Sequence, residues 1–145
     1  FFNYLMMSLS RGTGFVELYL KTQELSEVDW DVLAEGLKWV HHAFPYFKYI
    51  QMHGGDPNKQ EVYGYSGWND KGGYISFHNP NKSSYKKYKI KLDENLIHHK
   101  NKVSYRLIPI IGELLNKNSI VHGGDLLELE LAPGEILIWE FQKVE

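Results

Sequence analysis

The fold class is indicated most clearly by residues 126–131, which read Leu-Leu-Glu-Leu-Glu-Leu. From Leu127 to Leu131 an apolar residue alternates with an acidic one, and a period of two is the period of a β-strand. One face of such a strand is buried and the other faces water, as is common in antiparallel sheets. This stretch therefore predicts that the second part of the chain forms an antiparallel sheet.

The same period extends from Lys48 to the end of the chain. Breaks rich in Gly, Pro, Asn and Asp separate the apolar stretches at regular intervals. Short strands with such turns are typical of a sandwich, so residues 48–145 are predicted to form an antiparallel β-sandwich domain. The predicted strands are Lys48–Met52, Glu61–Trp68, Gly73–His78, Tyr85–Leu92, Val103–Ile111, Leu126–Leu131 and Glu135–Phe141.

Residues 1–47 follow a different pattern, that of a strand and a helix. Phe15–Leu20 is nearly continuous in apolar residues, which predicts a strand covered on both faces, as in a parallel sheet or a barrel. Phe1–Leu9 fits either a helix or a buried strand. The fold class is therefore predicted as α+β, with a short βα unit before the sandwich.

A helix is predicted to begin after Ser26 and to end near Phe44, before Pro45. Asp29 stands three residues after Ser26, where a capping box places an acidic side chain. Apolar residues then recur at spacings of three and four, which gives this helix one apolar stripe. The stripe consists of Trp30, Leu33, Leu37, Val40 and Phe44.

Composition excludes several classes of function. The formal net charge of −2 argues against a nucleic-acid partner held by backbone electrostatics. The lysines at 86, 87, 89 and 91 alternate with apolar residues, which predicts the wet face of a strand. There is no cysteine, so disulfides, thiolate zinc sites and a cysteine nucleophile are excluded. No apolar run reaches the roughly 18 residues that span a membrane, so no membrane partner is expected.

Arg11 and Glu17 are candidate binding residues. Arg11 lies in Ser10–Gly14, a loop that lacks both the Gly-Lys-Ser/Thr ending and the following helix of a phosphate loop. Glu17 is the only ionisable residue in Phe15–Leu20, and a carboxylate in a buried strand requires a partner or a place in a site. Two interpretations stay open: a salt bridge to Arg11, or a position in a substrate pocket.

Trp68 is the third candidate, together with Tyr63 and Tyr65. These rings could form a stacking platform for sugars, or Trp68 could fill the sandwich core. The adjacent histidine pairs at 41–42 and 98–99 point apart on a helix or a strand, so they cannot easily share an ion. We therefore expect neither a metal nor a cofactor.

Six segments of the sequence, taken together and in their order along the chain, resemble the C-terminal end of large bacterial glycoside hydrolases of the α-galactosidase type. This type includes relatives described as enterotoxins. The resemblance covers nearly the whole chain and is strongest in residues 10–80, and it has no matching motif within Asn95–Asp125. The segments are Ser10–Tyr19, Trp30–Phe44, His53–Pro57, Glu61–Trp68, Lys71–Pro80 and Leu131–Phe141.

The resemblance implies that residues 1–47 are the last strand and helix of a (β/α)8 barrel and that residues 48–145 are the sandwich that follows it. Retaining enzymes of this type use two carboxylates, which the family places upstream, at the ends of middle barrel strands. No catalytic residue is therefore expected here. A chain that starts at Phe1 without Met agrees with a C-terminal portion. The parent enzyme would bind the carbohydrate and would be a secreted or cell-surface bacterial protein.

A function of a different class is also compatible with the sequence. The chain would then be a stand-alone carbohydrate-binding or adhesion module that uses Tyr63, Tyr65 and Trp68.

If the chain is instead the C-terminal portion of a glycoside hydrolase, the apolar stripe of the helix packs on the upstream barrel and loses this partner when the chain is isolated. An isolated chain is then expected to self-associate or to pack the helix against the sandwich.

Overall fold

The computed structural model describes residues 1–99, 103–114 and 120–144 of the chain. Within them lie the helices α1 (Phe2–Ser10), α2 (Glu27–Ala43) and the one-turn α3 (Glu94–Ile97). The strands are β1 (Tyr49–Gly54), β2 (Tyr63–Asn69), β3 (Gly72–His78), β4 (Lys86–Lys91), β5 (Ser104–Ile111), β6 (Ile120–His122), β7 (Leu126–Leu131) and β8 (Ile136–Val144). The fold is α+β, as predicted. Part of Asn95–Asp125 lies outside the described residues.

Two antiparallel sheets are formed. Six strands make a large sheet in the order β1-β2-β3-β8-β5-β6, and β4 pairs with β7 in a small one. In the small sheet the lysines of β4 face the glutamates of β7: Lys89 Nζ lies 2.7 Å from Glu128 Oε1, and Lys87 is opposite Glu130. Lys87, Lys89 and Lys91 therefore lie on the wet face of the strand, as predicted, whereas Lys86 shares the other side with Tyr88 and Ile90.

One face of the large sheet packs on the small sheet around an aromatic core. The alternating leucines of β7 enter this core from the opposite side, as the pattern of residues 126–131 predicts. Burial of one large apolar side chain stabilises a fold by about 1.5–3 kcal/mol, so this core contributes strongly to stability. Its fully buried aromatic residues are Trp68, Phe77, Tyr105, Trp139 and Phe141.

The other face of the large sheet is covered by α1 and α2. The alternation along β8 separates the two faces, because Leu137 and Trp139 belong to the aromatic core whereas Ile136 and Ile138 pack with the helices. Phe1–Leu9, whose sequence fits either a helix or a buried strand, lies mainly in helix α1. No helix in the described part of the chain is both long and apolar enough to cross a membrane.

Helix α2 has the predicted ends. The Ser26 hydroxyl accepts from the backbone N–H of Asp29 at 3.3 Å, and the Asp29 carboxylate accepts from the backbone N–H of Ser26 at 2.9 Å. The capping box is therefore complete. A 3₁₀ turn over Phe44–Tyr46, which contains Pro45, follows the helix.

The buried face of α2 overlaps the predicted stripe only in part, because Leu33 and Val40 pack against the helix-facing cluster whereas the other three residues of the stripe do not. Gly36 lies against α1, and a Cβ atom added there would meet Leu9 Cδ1 at 2.8 Å. The small Gly36 thus lets α2 approach α1 closely. The predicted stripe was inferred from large apolar residues, which do not reveal such a contact. The buried residues are Gly36, Trp39 and Ala43, while Trp30, Leu37 and Phe44 are 41%, 45% and 56% exposed.

Phe15–Leu20 does not form the predicted buried strand. The segment is irregular, and its Phe15 and Tyr19 side chains are 75% and 85% exposed. A strand needs neighbours to pair its backbone N–H and C=O groups, and among the described strands none runs beside this segment. Two short elements, β6 and α3, were not predicted because three or four residues are too few to show a period.

Candidate functional site

Two adjoining clefts lie beside α1, and one of them reaches β2 and β3 of the large sheet. The larger, here called the Arg11 cleft, has a volume of about 420 Å³. The smaller, here called the Glu17 cleft, has a volume of about 250 Å³, and the two share Tyr4, Ser8 and Arg11. The Arg11 cleft is lined by Asn3, Tyr4, Met7, Ser8, Arg11, Tyr63, Tyr65 and His78, and the Glu17 cleft adds Thr13, Phe15, Val16, Glu17 and Leu18.

The aromatic wall of the Arg11 cleft is built by β2 and β3. Tyr63 and Tyr65 share the helix-facing side of β2, with ring centroids 6.1 Å apart. His78 is paired with Tyr63 across the strands, and its Nδ1 lies 3.2 Å from the Tyr63 hydroxyl. Burial lowers the pKa of His78 and raises the pKa of Tyr63, so both side chains are neutral at pH 7.

Arg11 is placed by the end of α1. The carbonyl of Ser10 accepts from the buried Tyr74 hydroxyl at 2.7 Å. Gly12 has φ +68°, and an added Cβ would meet Ile50 Cδ1 at 2.3 Å, so only glycine suits this position. Fixed backbone on both sides therefore holds Arg11 at the junction of the two clefts.

Arg11 and Glu17 line the same small cleft, but they do not form the salt bridge that was one of the two interpretations. Within the described residues, no carboxylate lies within 4.0 Å of the Arg11 guanidinium. Glu17 Oε1 accepts instead from the Tyr19 hydroxyl at 2.7 Å. Glu17 is exposed because its segment is not a buried strand. Both charges are thus open to a ligand.

Trp68 lies away from both clefts. Its side chain is fully buried in the aromatic core, with its ring centroid 5.3 Å from that of Tyr105. Side chains alternate across a strand, so Trp68 faces the opposite side of β2 from Tyr63 and Tyr65. A fully buried indole offers no surface to a sugar, and the structure favours the alternative interpretation, in which Trp68 is a core residue.

Sequence reasoning missed a buried polar cluster around Glu140. This carboxylate is 2% exposed and accepts hydrogen bonds from the Tyr46 hydroxyl at 2.8 Å and from His42 Nε2 at 2.9 Å. His42 also lines an apolar groove of about 660 Å³ between α1, α2 and the end of β5. The only signal in the sequence was one acidic residue within the otherwise apolar stretch Ile136–Phe141.

His53 and His98 have partners other than a metal. His53 Nε2 lies 2.9 Å from the Ser76 carbonyl, which can only accept, so Nε2 carries the proton and Nδ1 accepts from the Tyr88 hydroxyl. His98 stacks on Tyr49 with ring centroids 4.2 Å apart. In residues 1–99, 103–114 and 120–144, no group of three or more His, Asp or Glu side chains could hold an ion.

Comparison of the chain with known protein families and with curated proteins finds no match. The resemblance to glycoside hydrolases therefore stays a prediction that depends on the six sequence segments.

Proposed function

We propose that this chain is the C-terminal, non-catalytic portion of a glycoside hydrolase that acts on α-linked galactose or a related sugar. Residues 48–145 form its β-sandwich and have a structural role, and residues 1–47 complete a (β/α)8 barrel. The resemblance gives the enzyme class. One structural observation supports the proposed arrangement: several large apolar side chains of residues 1–47 are exposed to solvent.

Several of the exposed large apolar side chains belong to the two segments that the proposal assigns to the barrel. Phe15 and Tyr19 stand in the strand-like segment, and Trp30, Leu37 and Phe44 stand on α2. Isolated exposed apolar residues are ordinary, but clusters of large ones mark contact surfaces. In the proposed parent enzyme, Phe15–Leu20 pairs with neighbouring barrel strands and α2 buries its outer face against the barrel.

The proposal assigns the two catalytic carboxylates to the upstream barrel. Glycoside hydrolysis needs a pair of carboxyl groups flanking the scissile bond, about 5–9.5 Å apart depending on the mechanism. Glu140 is the buried carboxylate of the described residues, and Tyr46 and His42 already bond both its oxygens. Such a group is held in place and is not open to a substrate.

The test is to read the coding region that precedes Phe1 and to assay its whole product. We expect the whole product to hydrolyse 4-nitrophenyl α-galactoside, and residues 1–145 alone to be inactive. The β-galactoside serves as the matched control for linkage. A start codon directly before Phe1, or hydrolysis by residues 1–145 alone, would contradict the proposal.

A second candidate function is supported by the Arg11 cleft. A carbohydrate-binding module needs aromatic rings with polar groups beside them, and Tyr63, Tyr65, Ser8 and Arg11 supply both. The test is a titration of the chain with galactosides, followed by NMR. Tyr65→Ala is expected to abolish a saturable shift, whereas Tyr85→Ala, at a 65% exposed tyrosine outside both clefts, is expected to leave it intact. Absence of any saturable shift would exclude this function.

A further inference from the structure

We propose that the Arg11 cleft binds an acidic saccharide, with the sugar carboxylate on the guanidinium of Arg11 and the sugar ring against the tyrosines of β2. This inference deepens the second candidate function and rests on it. It names the class of ligand, a sugar unit that carries a carboxylate.

The first step of the argument is the chemistry of Arg11. A guanidinium is always charged, and its planar fork donates two parallel hydrogen bonds to a carboxylate. Arg11 is exposed, and no described carboxylate takes up this capacity. Its backbone is fixed by the Tyr74–Ser10 hydrogen bond and by the constrained Gly12, so a ligand needs to order only the side chain.

The second step is the charge balance of the Arg11 cleft. Arg11 is the one charged residue among those that line it. Neutral groups surround it: the hydroxyl of Ser8, the phenols of Tyr63 and Tyr65, and His78. One positive charge beside neutral hydroxyls and aromatic faces matches one carboxylate on a hydroxylated ring. A bare anion would leave the aromatic wall without a partner.

The third step is the adjoining Glu17 cleft, which shares Arg11 and adds one negative charge, that of Glu17. The Glu17 carboxylate, fixed by the Tyr19 hydroxyl at 2.7 Å, can accept from sugar hydroxyls but repels a second acid. The arrangement therefore favours an acidic unit in the Arg11 cleft and a neutral unit in the Glu17 cleft. It selects against a chain of consecutive acidic sugars.

The experiment compares two ligands that differ only in the carboxylate, methyl α-galacturonoside and methyl α-galactoside, by NMR titration at constant ionic strength. We expect the acid to bind at least about tenfold more tightly, the gain typical of a charge-assisted hydrogen bond. Arg11→Gln is expected to remove this preference. Arg106→Gln is the matched control, because Arg106 is the other arginine of the chain and is exposed on β5.

Several outcomes would overturn the inference. Equal affinity for the two glycosides would show that Arg11 does not select an acid, while the second candidate function would survive. An equal loss in Arg106→Gln would indicate unspecific attraction, and acetate that binds as tightly as the galacturonoside would indicate a simple anion site. If neither glycoside binds, the inference and the second candidate function fail together.

Discussion

At the scale of single residues, Glu140 occupies a position on β8 that follows Ile136 and Ile138 on the helix-facing side. A buried carboxylate is costly unless hydrogen bonds satisfy it, and here Tyr46, His42 and Gln142 all approach it. Two of these partners come from the end of α2 and the turn after it. The desolvation cost of Glu140 is therefore offset only when the helical part is docked on the sheet.

Replacement of this carboxylate should destabilise the fold. In Glu140→Gln, one acceptor oxygen becomes an NH2 donor, so either Tyr46 or His42 loses its acceptor, and we expect the free energy of unfolding to fall by about 2 kcal/mol. Chemical denaturation measures this change. Glu128→Gln is the matched control, because its exposed salt bridge to Lys89 is expected to contribute less than about 1 kcal/mol. Equal stability of the Glu140→Gln variant and the parent would contradict the prediction.

His53 should make stability depend on pH. Burial between the sheets lowers its pKa to about 4, below the ordinary value of 6.5. As the pH falls from about 6.5 to about 4, the unfolded chain takes up a proton that the folded chain does not, so the His53 contribution to stability is lost over this window. Its full size is on the order of 3 kcal/mol.

Denaturation at pH 7 and at pH 4.5 tests this contribution of His53. In His53→Gln the difference in the free energy of unfolding between the two pH values should become smaller. His41→Gln, at an exposed position of α2, should leave the difference unchanged. An unaltered pH dependence in His53→Gln would refute the assignment.

Single-residue roles were only partly predictable. Arg11 and Glu17 could be singled out because a charge beside an apolar run is visible locally, and both line the clefts. The role of Glu140 depends on Tyr46 and His42, which lie 94 and 98 positions away along the chain. No local pattern encodes such a contact. Trp68 could have faced either side of β2, and only the register of the sheet decides the side.

At the scale of elements, the capping box of α2 offers a direct test. Ser26→Ala removes the hydroxyl that accepts from the Asp29 N–H, and we expect a loss of about 1 kcal/mol in the free energy of unfolding. Ser83→Ala, an exposed serine in the loop before β4, is the control and should change stability by less than half as much. A Ser26→Ala variant as stable as its control would mean that the cap contributes nothing.

The strands with one wet face could be predicted from the sequence, whereas the face of α2 that packs against the rest of the fold could not. All seven predicted strands of residues 48–145 overlap observed ones because alternation and turn residues mark them locally. The contact face of α2 depends on Gly36 and Ala43, which carry little hydrophobic signal but allow close approach. Phe15–Leu20 has a strand-like sequence, yet pairing partners decide whether a strand forms, and the described strands supply none.

At the scale of the whole molecule, the exposed apolar side chains of α2 should govern association. We expect the isolated chain to self-associate as its concentration rises, because Trp30 and Leu37 remain partly exposed. Sedimentation velocity measures this, and the double variant Trp30→Glu, Leu37→Glu should be monomeric. Leu126→Glu, at a 53% exposed position of β7, is the matched control and should associate like the parent. A parent that is monomeric at every concentration would contradict the prediction.

Two hydrogen bonds join the helices to the sheet, the buried bond from Tyr74 to Ser10 and the partly buried one between His42 and Glu140, and they have a consequence for local opening. A helix pair that only lay on the sheet would detach first, and its amide protons would exchange with solvent long before those of the strands. One bond holds α1 and the other holds α2, and the two helices pack on each other at Gly36 and Leu9, so the amides of α1 and α2 should exchange at the rate of β3 and β8. Hydrogen exchange should therefore report one cooperative unit, with no early release of the helices.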